Sequence, residues 1–168
     1  ADAAYELVSE FREEPAVAII KHGNPCGTAL GANLATAYRK ALSCDTTSAF
    51  GGIVAANQHL DGETASEIIK LFTEVVIAPS ADDDALNFLA TKPKIRLMLT
   101  GTLPSQTSFD KEIHNIAGGF LIQTRDDGII KQDEITVVTQ RSPSEIELAD
   151  LIFACTVAKH VKSNAIVY

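Results

Sequence analysis

Lys21 and His22, followed by Gly23, Asn24, Pro25, Cys26 and Gly27, are the residues whose types and spacing could do chemistry. An imidazole, with an ordinary pKa of about 6.5, can take a proton and return it near neutral pH. An ammonium beside it offers positive charge to a developing oxyanion. The apolar residues 17–20 just before the pair read as a short buried strand. Gly23, Asn24, Pro25 and Gly27 are turn formers, so a tight loop should carry the chain away after His22. The expectation is a strand that presents a cation and an imidazole at its carboxyl end, the edge where open α/β sheets bind ligands. Taken alone, the pair also fits a plainer reading, a surface lysine and a packing histidine in an ordinary βα turn.

Other chemistries can be tested against the same residues. A zinc deaminase needs His/Cys-x-Glu and Pro-Cys-x-x-Cys, because three ligands and a glutamate must surround one water. Pro25-Cys26 begins that pattern, but Ala29 stands where the second cysteine belongs, and no glutamate follows His22. No zinc is expected. The chain has no Gly-x-x-x-x-Gly-Lys-Ser/Thr phosphate loop and no Gly-x-Ser-x-Gly nucleophile elbow. Cys26 could be a thiol nucleophile at a helix start. A small apolar cysteine in a tight turn is the commoner role. Acid–base chemistry at His22 survives, and the residues themselves carry the argument no further.

The elements that must position this pair can be read in order. Residues 2–13 have apolar positions Ala4, Leu7, Val8 and Phe11 at helical spacing, and Pro15 ends that helix. Residues 30–42 read as a second helix, and residues 48–57 as a loop entering a buried strand. The Gly51-Gly52 pair there permits close approach by another strand or a ligand. Asp61 should cap a third helix, residues 74–79 should form a strand halted by Pro79, and Ser80 should cap the next helix. Asp82, Asp83 and Asp84 suit that helix's first turn better than a metal. Residues 95–99, 118–123 and 135–139 read as strands. Ser142 to Glu145 read as a capping box with Pro143 in the first helical position. The helix it opens should run to about Val161 and bury Ile146, Ala149, Phe153 and Val157. Lys159 and Lys162 are then cations suited to the helix dipole, while Ser163 and Asn164, just past the helix, could point into a site. Strands alternating with helices give an α/β fold with a mainly parallel mixed sheet covered by helices, and one domain over the 168 residues.

Composition narrows the class. Hydrophobic residues are 46% and charged residues 21%, ordinary for a soluble α/β protein. Net charge is −8 with no basic run, so nucleic acid is not an expected partner, and the countercharges for an anionic ligand must be local. No apolar run approaches a membrane span, and no signal peptide opens the chain. Three scattered cysteines, Cys26, Cys44 and Cys155, fit a reducing, cytoplasmic setting better than a disulfide framework. The chain starts at Ala1, and residues 164–168 read as an apolar strand that stops, so a piece of a longer polypeptide is expected.

Lys21-His22-Gly23-Asn24-Pro25-Cys26-Gly27 resembles the Lys-His-x-Asn-Pro-Cys-Gly signature of the AICAR transformylase domain of bifunctional purine-biosynthesis enzymes. The resemblance continues through residues 45–55, 74–80 and 118–121 and closes with Lys159-His160-Val161-Lys162-Ser163-Asn164-Ala165-Ile166-Val167-Tyr168. It covers essentially the whole chain, in the bacterial style. It implies formyl transfer from 10-formyltetrahydrofolate, the cosubstrate, to the 5-amino group of AICAR. A separate cyclohydrolase domain, not represented in these residues, then closes the ring to IMP. The implied fold is a three-layer α/β/α, cytidine-deaminase-like unit without zinc, and these residues match the N-terminal part of the transformylase domain. By position, His22 resembles the general base and Lys21 the residue that steadies the tetrahedral oxyanion. Asn164 resembles an asparagine that contacts AICAR, Glu74 an acidic residue of the active site, and Asn24, Gly51 and Gly52 substrate-binding positions. A potassium ion in some members lies around the stretch matching residues 158–165, where vertebrate hydroxyl residues are replaced here by Val161 and Ala165.

The resemblance further implies a homodimer whose partners are AICAR and folate; charge and hydropathy already point away from nucleic acid and membrane. The family's upstream Arg-Tyr-Gly and downstream arginine and Ser-Asp-Ala-Phe-Phe-Pro-Phe elements are not among these residues, so the 168 residues alone are expected to be inactive. A non-catalytic nucleotide-binding module on the same scaffold is the other class of function. The presence of Lys21, His22 and Asn164 together favours the catalyst, since a pure binder needs no base.

Overall fold

A computed structural model describes residues 1–104 and 111–167. Its centre is a five-stranded sheet in the order β2-β1-β3-β4-β5, built from β1 (Ala16–Lys21), β2 (Asn24–Leu30), β3 (Gly52–Ala56), β4 (Thr73–Ala78) and β5 (Arg96–Leu99). β1 pairs antiparallel with both β2 and β3, while β3, β4 and β5 pair in parallel. Four strands therefore run one way and β1 alone runs against them. The expectation of a mainly parallel mixed sheet holds.

The alternation along β1 explains why both faces are covered. Val17 and Ile19 join one core with Val54, Val76, Tyr38 and Leu60, whereas Ala16, Ala18 and Ile20 join another with Leu7, Val8, Ala55 and Ile77. Helices α2 (Leu34–Cys44), α4 (Gly62–Ile68) and α5 (Asp83–Ala90) supply the first core, and α1 (Asp2–Ser9) the second. The result is three layers, α/β/α. Burial pushes the Tyr38 phenol up to about 12, with Glu67 adding to the rise, as expected for a ring sealed under α2.

Side-chain caps fix the helix starts. Asn33 accepts from the Thr36 N–H at 2.8 Å, Asp61 from Thr64 at 2.7 Å and Asp82 from Ala85 at 2.7 Å. Asp61 caps as expected. Ser80 does not cap α5; Asp82 does, because its shorter reach to the first turn satisfies the orphan N–H groups, while Ser80 Oγ faces His59 Nδ1 at 2.8 Å. Asp45 likewise caps the one-turn α3 (Thr46–Ala49) by accepting from Ser48 N–H at 2.9 Å.

Beyond β5 several expectations change. Residues 111–124 form an antiparallel ribbon of β6 (Lys111–Ile116) and β7 (Gly119–Thr124), of which the sequence reading gave only the second strand. Residues 135–139 form no strand; a single 3-10 turn, Gln132–Glu134, precedes them. The long helix is α6 (Glu145–Lys159), and its capping box uses Ser144 with Glu147 rather than Ser142 with Glu145. Pro143 therefore precedes the cap. Ile146, Ala149, Phe153 and Val157 are exposed or half-buried, and Ile146 is 76% exposed. Apolar residues spaced along the whole helix gave the sequence no single stripe to read, and only its carboxyl-terminal part touches the second core, through Val157 and a Phe11–Phe153 ring contact at 5.3 Å. The expected strand over residues 164–168 is not formed over 164–167, and Tyr168 lies outside the described residues.

Candidate functional site

Lys21 and His22 do not open a βα turn. They open a two-residue hairpin between β1 and β2, with Lys21 paired to Asn24. His22 (φ 53°) and Gly23 (φ 80°) are both left-handed, the combination that a type I′ turn requires and that suits the twist of the flanking strands. The residues after the turn, Asn24 to Leu30, are a strand and not a loop. A Cβ on Gly27 would sit 1.9 Å from the Ala41 carbonyl oxygen, so this glycine lets β2 lie directly against α2.

The hairpin corrects the location of the site. Because β1 is the reversed strand, its carboxyl end lies at the amino edge of β2, β3, β4 and β5. The edge rule for parallel sheets does not govern a reversed strand. What this edge collects are the starts of β3 and β4. Gly52 pairs with Thr73, and the Gly51 N–H donates to the Phe72 carbonyl at 2.7 Å. The Lys21 ammonium donates to the Phe50 carbonyl oxygen and lies 3.3 Å from where a Gly51 Cβ would be. Gly52 admits protein backbone, since its Cβ would stand 2.9 Å from the Ala49 carbonyl oxygen and 3.2 Å from that of Ile20. The Phe50 and Phe72 rings meet at a tilt, 5.4 Å between centroids, beside Lys21 and are 55% and 40% exposed. The sequence reading missed this aromatic pair; the signal was a phenylalanine just ahead of each strand start, Phe50 before Gly51-Gly52 and Phe72 before Thr73.

Lys21, His22, Asn24, Gly51 and Gly52 are thus brought to one edge. Glu74 lies on that edge one residue after Thr73, exposed and in no ion pair among the described residues. His22 is exposed, and no side-chain partner among the described residues fixes its ring. Asn164 stands two residues beyond Lys162, where the chain returns to β2. It lines a cleft of about 640 Å³ on the flank of the hairpin, with Pro25, Cys26, Val157 and Val161. A clasp holds this flank together: Glu10 Oε1 accepts from Lys159 Nζ at 2.8 Å and from His160 Nε2 at 2.9 Å. Burial by itself would raise the Glu10 carboxyl, but the bonds from His160 and Lys159 outweigh it and hold Glu10 below the usual range. The chain after α6 is thereby led back to β2, where the Lys162 N–H donates to Asn24 Oδ1 at 3.0 Å.

Burial pushes the Cys26 thiol up, and the thiol points to the Ile19 carbonyl oxygen at 3.4 Å. A protonated, inward-facing thiol is a poor nucleophile. Among the described residues no three His, Cys, Asp or Glu side chains gather as metal ligands. A hard cation wants oxygen donors; the Val161 and Ala165 side chains have none, whereas Ser163 and Asn164 in the same stretch each carry one.

A model of the AICARFT/IMPCHase bienzyme family matches residues 1–168. The chain belongs to that family. It is 59% identical over 169 residues to the bifunctional purine biosynthesis protein PurH of Sinorhizobium medicae (strain WSM419), covering 99% of this chain and 32% of that protein. It is 56% identical to the PurH of Caulobacter vibrioides (strain ATCC 19089 / CIP 103742 / CB 15), again over 99% of this chain and 32% of the relative. The AICARFT/IMPCHase chain described here spans about a third of the length of these curated relatives. Among solved structures, the dCMP deaminase of cyanophage S-TIM5 aligns with 58% of this chain and 95% of its own at a TM-score of 0.46 and 10% identity. Acinetobacter baumannii RibD aligns with 58% of this chain and 33% of its own at a TM-score of 0.46 and 15% identity. Both scores lie below 0.5, and the architecture rests on the strand order alone. No described helix is long and apolar enough to cross a membrane.

Proposed function

We propose that this chain supplies the proton-transfer edge of an AICAR transformylase. The observation that carries the reading is the pairing of Lys21 and His22 on a rigid hairpin turn, with the lysine anchored to the Phe50 carbonyl. In the proposed step the 5-amino nitrogen of AICAR attacks the formyl carbon of 10-formyltetrahydrofolate and a C–N bond forms. His22 takes the proton that this nitrogen loses, because a nitrogen conjugated with a carboxamide is a weak nucleophile. The carbonyl electron pair moves onto oxygen, and Lys21, which has donors to spare beyond its bond to Phe50, stabilises that oxyanion. Collapse breaks the bond to the folate nitrogen, which leaves with a proton returned by His22. Asn164, Asn24, Glu74 and the Gly51-Gly52 backbone are the proposed substrate contacts.

The longer enzyme is proposed to act as a homodimer in the cytoplasm, with its other domain closing the ring to IMP. The 168 residues alone are expected not to transfer formyl groups. Positioning both substrates can supply roughly 7–11 kcal/mol of barrier lowering, and an exposed imidazole on an open edge supplies little of it. The test is His22→Ala in a full-length family member that carries this segment. kcat should fall on the order of 10²- to 10⁴-fold while AICAR affinity holds. Unchanged turnover would remove His22 from the mechanism.

A further inference from the structure

Lys162 reads in sequence as a cation suited to a helix end, but the tertiary structure takes it elsewhere. It stands three residues beyond the last residue of α6, and its backbone N–H is fixed to Asn24 Oδ1 at 3.0 Å across 138 residues of chain. Its side chain lies along the His22–Gly23 turn. A Cβ on Gly23 would be 2.8 Å from Lys162 Nζ and 3.2 Å from Cε, so the lysine occupies the ground that the missing side chain leaves. Gly23 has φ 80°, which makes a glycine there natural for the turn as well. The ammonium of Lys21 lies on the same hairpin, at Phe50 and Gly51.

What distinguishes Lys162 is its place beside the turn that carries His22. Among the described residues neither Lys21 nor Lys162 lies within 4.0 Å of a carboxylate, a condition they share with Lys40, Lys92, Lys94 and Lys111, while Lys70, Lys131 and Lys159 are paired. The chain carries a net −8, so carboxylates are not scarce. Lys162 thus brings a second ammonium to the hairpin that already carries Lys21, on an otherwise acidic protein. An anion seated over the turn would meet the Lys162 charge directly.

We propose that Lys162 is a substrate-binding residue whose ammonium holds an anionic group, phosphate or carboxylate, of a molecule seated over the His22–Gly23 turn. Lys21 is then left to the reacting oxygen. The inference rests on the transformylase reading of His22. Both substrates of that reading carry anions remote from their reacting atoms: the 5′-phosphate of AICAR and the glutamate carboxylates of the folate. A lysine suits either, as a point charge with three rotatable donors.

The experiment is Lys162→Gln and Lys162→Arg in a full-length family member carrying this segment, with steady-state kinetics and equilibrium binding. The probes are AICAR against its phosphate-free riboside, and a monoglutamyl against a polyglutamyl folate. Lys162→Gln should weaken one of the anionic ligands about tenfold, with kcat nearly unchanged, and Lys162→Arg should restore most of the loss. Added salt should weaken wild-type binding more than that of Lys162→Gln. Loss confined to AICAR and absent for the riboside assigns the phosphate; loss that grows with glutamate number assigns the folate tail. Unchanged affinity for all four ligands, or a fall in kcat with no change in affinity, would overturn the proposal. If wild-type enzyme neither binds these substrates nor turns them over, the transformylase reading itself has failed; if it does both and Lys162→Gln matches it, only the role of Lys162 has.

Discussion

Residues 1–104 and residues 111–167 are both rich in apolar side chains, yet only the first region buries them. Every buried residue among those described falls between Ala4 and Leu89. In the second region Ile113, Phe120 and Ile122 stand 62%, 68% and 57% exposed on the β6–β7 ribbon, and no residue of α6 is buried. The difference is not hydrophobicity but layering. A sheet with helices on both faces encloses its apolar residues from two sides, whereas a two-stranded ribbon has no second layer to close against. The candidate site sits where the two regions meet: the first provides the Lys21–His22 hairpin, and the second returns Lys162 and Asn164 to its flank.

The contrast is sharpest in stability. Ile77→Ala, in the core between α1 and the sheet, should cost about 2–5 kcal/mol, and Phe120→Ala on the ribbon no more than about 0.5 kcal/mol. Urea unfolding of the 168-residue chain measures both, and equal losses would mean that the ribbon is not the open element described here.

The clasp between the regions comes next. Glu10→Gln should cost about 1–3 kcal/mol, and it should shift the amide signals of Val161 and Lys162 more than those of β3. The pH dependence follows from the sign of the Glu10 shift. Its folded pKa lies below the ordinary value of 4.5, so the stabilisation is present above about pH 4.5 and is lost as pH falls through the folded value. Glu10→Gln should lack that acid-dependent part; identical acid titrations of the two proteins by NMR would break the link.

A smaller effect is expected within the second region alone. Ser144→Ala removes one half of the α6 capping box and should cost about 1 kcal/mol. It should appear as faster amide exchange in the first turn of α6, with β1 and β3 unchanged. Uniform acceleration across the sheet would show that the two regions unfold as one. Glu147, held down to about 2 by Arg141 and by the Ser144 N–H, should resist protonation until strongly acidic pH, so the cap should persist at pH 4.

The smallest effect should come at Cys26. Cys26→Ala should leave both stability and full-length turnover close to wild type, while Cys26→Leu should destabilise by crowding the β1–β2 hairpin. Alkylation should reach exposed Cys44 before Cys26, whose thiol is raised by burial. Faster labelling of Cys26 would revive a thiol mechanism.

Local residue order was enough for much of this protein. The apolar run before Lys21 is a strand whose five residues, Ala16 to Ile20, are all buried, and its alternation assigns them to two covered faces. Asp61 is a cap because a short carboxylate reaches the third N–H after it, a contact that needs no distant partner. The Lys-His pairing and the family signature are likewise properties of neighbours in sequence. Tertiary structure decided the rest. A tight turn is compatible with either a helix or a strand after it, and only pairing with Asn24 to Leu30 made this one a hairpin and β1 the reversed strand. That reversal moved the candidate site to the edge where β3 and β4 begin. Lys162 and Asn24 are 138 residues apart, and no periodicity links them. Exposure along α6 was equally hidden, because an apolar pattern records what a helix could bury, while burial itself requires a second surface to be there.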